Sequence, residues 1–590
     1  MKRIILIFSV ILFSFPVFSR PGNEPDLRSA IDKSNFVLQL IRFAYVDTVP
    51  LMPLVERGTI EILRQLDPHS QYISPRDVAR ANEPLQGFFY GIGVSFQILN
   101  DTIVIIEAVS GAPAERLGIQ GGDKIVTIDG APATGDSARN DIVFRRLRGP
   151  RGTVVTTGIL RGGVVRDYRI VRDRIPQHTV DVFFMENATT GYIQVDRFSR
   201  QTAAEFKTAL QTLLRQGAKN IILDLRGNSG GYMDQAIAMA NEFLERNKLI
   251  VYMEGAHQPR QNNMSTSGGA FTKGKLVVLI DESSASASEI VAGAVQDHDR
   301  GIIVGRRSFG KGLVQRPFIV PADSSEIRLT IARYFTPSGR SIQKPYNDGF
   351  ERYFADLMNR HRHGELVHPD SIKLPDSLRF FTSGNRVVYG GGGIVPDIFT
   401  PIDTNRISDY FVDLQRANVF NSFVMNYLDR ERQNLLRKYP TFELFYENFD
   451  AYEQFAHEFE TFAEAAGVKR NRIRMPTADA FLSRMVAEMR RDTTLAKSET
   501  YHEYVERVLW SEERMREFLM NLAEAEDATQ QRIQESSDEF ILLRLKAVLA
   551  HNLYGRRYFI QTIRSMDPGY QRALRVIEDD ELFRKLGISY

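Results

Sequence analysis

Cysteine is absent from the 590 residues. That excludes a disulfide framework, a thiol nucleophile, and any metal site or lipid anchor built on cysteine. An excess of either charge is missing too. The chain carries 75 Lys and Arg against 73 Asp and Glu, a net charge of +2, so nothing electrostatic points to nucleic acid or an acidic membrane. What is present is ordinary for a globular protein: 43% hydrophobic and 25% charged residues, in a length that suits about four domains.

The first residues address the chain. Lys2-Arg3 precede an apolar run from Ile4 to Phe18, and Val17-Phe18-Ser19 offers a small residue for cleavage. The run is short for a membrane span, so residues 1–19 read as a cleaved secretory signal peptide and the mature protein as periplasmic or cell-envelope. A helical region follows over 24–82, with Ile31, Phe36, Val37, Leu40 and Ile41 on one face. It closes at Leu66-Asp67-Pro68-His69-Ser70, a proline-punctuated turn in which His69 reads as structural.

Chemistry concentrates between Lys275 and Gln315. Leu276-Val277-Val278-Leu279-Ile280 is short and β-branched enough for a buried strand, and Asp281 to Ser288 is a turn of small residues. Glu289 to Gln296 reads as a serine-capped helix, where free N–H groups favour a developing negative charge. Ser308-Phe309-Gly310-Lys311-Gly312 follows a second apolar run. A lysine can act as a base only when neutral, which requires burial. Composition alone does not choose among Ser284, Ser286 and Ser288.

The strings Ser284-Ala285-Ser286-Ala287-Ser288-Glu289-Ile290 and Phe309-Gly310-Lys311-Gly312-Leu313-Val314-Gln315 resemble the catalytic segments of the carboxyl-terminal processing (tail-specific) serine proteases. The resemblance implies Ser286 as nucleophile, Lys311 as general base and Gln315 as the residue orienting the lysine. It also implies a crotonase-like α/β protease core with a mixed sheet, here over 176–402, and no metal or organic cofactor. Glu289 is expected to pair with a nearby base or to be a salt-bridged helix surface.

Strand, helix and strand alternate across Gly191–Val195, Thr202–Gln216 and Ile221–Leu225, which argues for parallel pairing. Arg226-Gly227-Asn228-Ser229-Gly230-Gly231 lacks the Lys-Ser/Thr ending of a phosphate loop. By the resemblance it is the oxyanion loop, with Gly230 or Gly231 giving one N–H and Ala287 the other. Residues 344–385 are polar and expected as a surface insertion. His361, His363 and His368 within it fit no zinc spacing, and no metal site is expected.

Residues 85–175 form a strand-rich module. Its Gly91-Ile92-Gly93-Val94 loop and the string Gly121-Gly122-Asp123-Lys124-Ile125 resemble a PDZ domain. Successive N–H groups in such a loop can hold a terminal carboxylate, and the strand edge after it accepts an extended peptide. The implied partners are proteins or peptides with apolar C-termini. An adaptor lipoprotein, as some relatives use, and a homo-oligomer are left open. From 403 to 590 the chain reads as charged amphipathic helices (410–438, 442–465, 478–491, 501–525, 540–553) that pack on the core, join subunits or gate the substrate.

Two other readings have distinct consequences. A Ser-His-Asp hydrolase using His298 or His69 would keep activity in Lys311→Ala. A peptide-binding scaffold without catalysis would be indifferent to Ser286→Ala.

Overall fold

A computed structural model describes residues 27–266, 268–403, 407–470, 535–588 and 590. The expected signal peptide and the helices expected at 478–491 and 501–525 lie outside the described residues. The chain divides after Leu66 into two units. The first contains helices Leu27–Ala44, with no buried side chain, and Leu51–Leu66, in which only Leu63 is buried. The expected boundary at 82 moves back because Gln71–Ile73 pairs antiparallel with Glu326–Phe335 and so belongs to the second unit.

At the centre of that unit is a six-stranded sheet in the order Phe183–Met185, Thr190–Gln194, Asn220–Asp224, Leu276–Ile280, Ile302–Gly305, Ile398–Phe399. All neighbours pair parallel except the first two. The sequence explains why both faces are covered. Alternate residues of a strand point to opposite faces, and Leu276–Ile280 is apolar and buried at every position. Leu276, Val278, Ile280, Ile221 and Leu223 pack with Phe206, Leu210, Ala236 and Val291 from helices Thr202–Arg215, Met233–Asn241 and Ala287–Asp297. Val277, Leu279, Ile222 and Val304 pack with Tyr570, Ala573, Val576, Ile577 and Phe583 from the far end of the chain. The last helices, Pro568–Glu578 and Asp580–Lys585, are therefore the second cover of this sheet.

An antiparallel sheet built on Glu326–Phe335 lies beside this core and carries Leu313–Ile319. The 85–175 module contains a separate antiparallel sheet with Val94–Leu99 at one edge. Helices Pro113–Arg116 and Asn140–Leu147 accompany it. On the module's other side Val104 and Ile106 share a core with Leu414, Phe420, Phe423 and Leu549 of the helical region, and Lys124 pairs with Asp429 at 2.6 Å.

Two expected helices are each broken in two. Residues 410–438 split into Asp409–Arg416 and Val419–Lys438 at Asn418, whose φ is 55°. Residues 442–465 split at Asp450, whose carboxylate caps Ala451–Ala465. The stretch 344–385, expected as a surface insertion, is mostly exposed but reaches inward at a few positions. It forms helix Phe350–Arg362, whose Tyr353 and Arg360 are buried, and Lys344 is buried between Phe309 and Tyr353 at 4.0 and 4.2 Å from their ring centres.

Candidate active site

The turn after Leu276–Ile280 is fixed by its own polar side chains. Asp281 Oδ1 accepts the N–H groups of Ser283 and Ser284 and, from across the gap, that of Gly227 at 3.0 Å. The Ser284 hydroxyl donates to the Leu225 carbonyl at 2.8 Å, and the Ser288 hydroxyl to that of Asn228 at 2.9 Å. Both serines are fully buried. Ser286 is the one of the three left partly exposed. It precedes helix Ala287–Asp297 at φ 54°, ψ −109°. For a non-glycine residue that conformation costs roughly 1–3 kcal/mol and persists only where its surroundings enforce it.

Glu289 does the enforcing. It is wholly buried, and its two oxygens accept four hydrogen bonds. Oε2 takes the N–H groups of Ser286 at 2.7 Å and Lys311 at 2.9 Å. Oε1 takes the Ser308 hydroxyl at 2.5 Å and the Gly310 N–H at 2.7 Å. One carboxylate thus joins the serine turn to the lysine loop. Burial pushes its pKa up, although every donor favours the charged form. This corrects the expectation of a base partner or a surface salt bridge. Ser-x-x-Glu is the spacing of a capping box, and that signal was in the sequence. Tyr334 ties the same two segments, its hydroxyl lying 3.0 Å from the Ser286 carbonyl and 2.8 Å from that of Lys311.

Ser286, Lys311, Gln315, Gly230 and Gly231 all line one cleft of about 450 Å³. The Lys311 amine donates to Gln315 Oε1 at 3.0 Å rather than to the Ser286 hydroxyl. Burial lowers the pKa of Lys311, Glu289 and Asp67 raise it, and Arg328 lowers it; the net is downward. Gln315 in turn donates to the backbone carbonyl of His69, so the 67–70 turn supports the lysine's partner. Asp67 shapes that turn by accepting the N–H groups of His69 and Ser70 at 2.8 and 2.9 Å. Glu289, Asp67 and Tyr334 were not among the residues expected at the site.

Gly230 has its N–H on Asn228 Oδ1 at 2.9 Å, so that glycine has no free donor here. The N–H groups of Gly231 and Ala287 have no acceptor among the described residues. A Cβ on Gly231 would lie 2.1 Å from the Phe198 carbonyl oxygen, and its φ is 146°. Only glycine fits.

The histidines are elsewhere employed. His298 follows the eleven-residue helix that Ser286 caps, about 18 Å along its axis, and its Nε2 meets the Leu249 carbonyl at 2.6 Å. The His69 ring is hydrogen-bonded to the Tyr353 hydroxyl at 2.8 Å. Burial, with Lys311 nearby, pushes its pKa down to about 3.

In the 85–175 module the carbonyls of Ile92 and Gly93 accept Ala114 and Val109 N–H groups at 3.0 and 2.9 Å. The N–H groups of Ile92 and Gly93 have no acceptor among the described residues. Gly91 pairs with Asp173, and Val94 opens the edge strand. Phe96 on that strand and Phe144 on helix Asn140–Leu147 lie 5.2 Å apart between ring centres.

The family model of peptidase family S41 matches residues 189–351, and a family of unknown function (DUF8443) matches 410–487. A carboxy-terminal-processing protease of Bartonella bacilliformis is 35% identical over 330 residues, 55% of this chain and 74% of its own. A probable CtpA-like serine protease of Staphylococcus epidermidis is 32% identical over 348 residues, covering 58% and 68%. Among solved structures, the photosystem II D1 C-terminal processing protease is 24% identical over 63% of this chain and 88% of its own, with a TM-score of 0.34. With relatives this similar over more than two thirds of their length, the chain belongs to the carboxy-terminal-processing serine proteases of peptidase family S41.

Proposed function

We propose that the protein is an exported serine endopeptidase that captures the C-termini of its substrates in a PDZ domain and cleaves with Ser286 and Lys311. The observation that carries the reading is a partly exposed, strained serine sharing a cleft with a lysine whose burial favours the neutral amine. Neutral Lys311 removes the Ser286 proton, and the oxygen attacks the scissile carbonyl. The oxyanion rests on the N–H groups of Gly231 and Ala287. Protonated Lys311 then gives its proton to the leaving amine, and water releases the acyl group from Ser286. Gln315 holds the amine at 3.0 Å and so limits the positions it takes. No step needs a metal or cofactor.

Capture is assigned to residues 85–175. A substrate carboxylate would sit on the unbonded N–H groups of Ile92 and Gly93, with its chain added beside Val94–Leu99. The test uses an unfolded protein with an apolar C-terminus, and the same protein with its C-terminal carboxylate amidated. Ser286→Ala and Lys311→Ala should each lose about a thousandfold or more in kcat, and amidation should raise KM. Full activity in Lys311→Ala would defeat the lysine-base reading. An unaffected Ser286→Ala would defeat the enzyme reading itself.

A further inference from the structure

The 226–231 loop must hold one shape if Gly231 is to present its N–H, yet three of its six residues are glycines at φ of 71°, 102° and 146°. Such a backbone has no preference of its own. Packing fixes Gly230 and Gly231 against Ser286 and Phe198 but not the start of the loop. There a cavity of about 300 Å³ is lined by Arg226, Gly227, Asp281 and Asp567. The position of that start is therefore set by its polar anchors.

Core anchors hold the middle and end of the loop: Gly227 N–H on Asp281 at 3.0 Å, Asn228 Nδ2 on the Val195 carbonyl at 2.8 Å, the Ala285 N–H on the Asn228 carbonyl at 3.0 Å and the Phe198 N–H on the Gly230 carbonyl at 2.9 Å. The start of the loop is held by Arg226, which fans across two carboxylates. Its Nε and Nη2 reach Asp224 at 3.0 and 2.6 Å, at the end of strand Asn220–Asp224. Its Nη1 and Nη2 each reach Asp567 at 2.8 Å, a bidentate pair. Asp567 is itself fixed, because it caps helix Pro568–Glu578 by accepting the Tyr570 N–H at 3.0 Å. Gly569 gives the guanidinium room; a Cβ there would lie 2.7 Å from Arg226 Nη1. Asp567 lies far outside the residues matched by the family model.

We propose that Asp567 is a positioning residue for the cleavage reaction, through which the C-terminal helix pair holds Arg226 and hence the loop carrying the Gly231 N–H. The inference rests on the reading of Gly231 as an oxyanion donor. Removing Asp567 leaves Arg226 on Asp224, so the loop loosens rather than collapses, and the loss belongs to the transition state rather than to substrate capture.

The experiment compares wild type, Asp567→Asn, Asp567→Glu and Gly569→Ala as full chains. It measures kcat and KM on a peptide substrate, inhibition by a peptide aldehyde, and the affinity of a labelled C-terminal peptide for the 85–175 module. Expected for Asp567→Asn is a fall in kcat of about tenfold, with KM and C-terminal peptide affinity within about twofold and the aldehyde bound about tenfold more weakly. Asp567→Glu should recover most of the rate, and Gly569→Ala should reproduce the loss without touching the carboxylate. Unchanged kcat in both Asp567→Asn and Gly569→Ala would overturn the proposal. So would a loss that Glu does not restore and that tracks the unfolded fraction. If Asp567→Asn does not fold, Gly569→Ala alone decides. Retained activity in Ser286→Ala would instead strike the underlying catalytic reading, which Asp567 variants do not test.

Discussion

Lys311 and the charges around it give the first measurable consequence. A base that works as the neutral amine becomes available as pH rises through its pKa, so a lowered pKa moves the ascending limb of kcat/KM to lower pH. That limb is expected below the ordinary lysine value of 10.5. Two neighbours push in opposite senses. Arg328 lowers the Lys311 pKa, so Arg328→Gln should move the limb up; Glu289 raises it, so Glu289→Gln should move the limb down in whatever fraction folds. A pH-rate series on the two variants reads both signs. Glu289→Gln has a second cost. Its four partners are all donors, and an amide sets N–H against at least one of them. Leaving buried donors without acceptors should cost about 3 kcal/mol or more in urea unfolding. The sequence pointed to the Ser286 and Lys311 segments and carried the capping-box spacing of Glu289, but not the part Glu289 plays between them. A helix-terminal glutamate is usually solvated, and only the fold reveals that two loops converge on this one.

At the scale of elements, apolar periodicity was the legible part. Leu276–Ile280 and Asn220–Asp224 are strands, and Thr202–Arg215 is a helix with Phe206, Leu210 and Leu213 buried along one stripe. Segments stabilised by polar contacts were not legible. Residues 344–385 have the composition of a surface loop, yet Arg360 is buried there because its charge meets Asp356 at 2.9 Å and the Ser308 carbonyl at 2.8 Å. Helix Phe350–Arg362 reaches the site through Tyr353, which is hydrogen-bonded to His69, while the His69 carbonyl holds Gln315. Tyr353→Phe removes that hydrogen bond and leaves a half-buried imidazole nitrogen unpaired. It should cost about 1–3 kcal/mol in denaturant unfolding. It should also lower kcat more than it raises KM, because what loosens is the support of the amine rather than the capture of substrate. Loss of stability with kcat unchanged would show that the 67–70 turn keeps its shape without the tyrosine.

For the whole molecule, the parallel sheet sets the requirement. A five-residue run apolar at every position needs a cover on both faces, and the helices near it in the chain supply only one. Nothing in the residues of 276–280 says that the other cover comes about three hundred positions later, since a two-residue period identifies faces and not what lies on them. In the fold, Tyr570, Ala573, Val576, Ile577 and Phe583 take that place, and Lys275 donates to the Ile577 carbonyl at 2.9 Å. The terminal helices are therefore expected to be indispensable to a catalytic core that a reading by family resemblance ends near residue 400. A chain truncated after residue 555 would expose Val277, Leu279, Ile302 and Val304 together, an apolar sheet face that should drive aggregation. The milder probe is Phe583→Ala. This ring is fully buried, so its removal should cost about 3–5 kcal/mol in equilibrium unfolding. The loss should be seen by probes of the protease core as well as of the C-terminal helices, because the two faces share one sheet. A variant in which the terminal helices melt alone, leaving a soluble and active core, would mean that the second face is covered by something else.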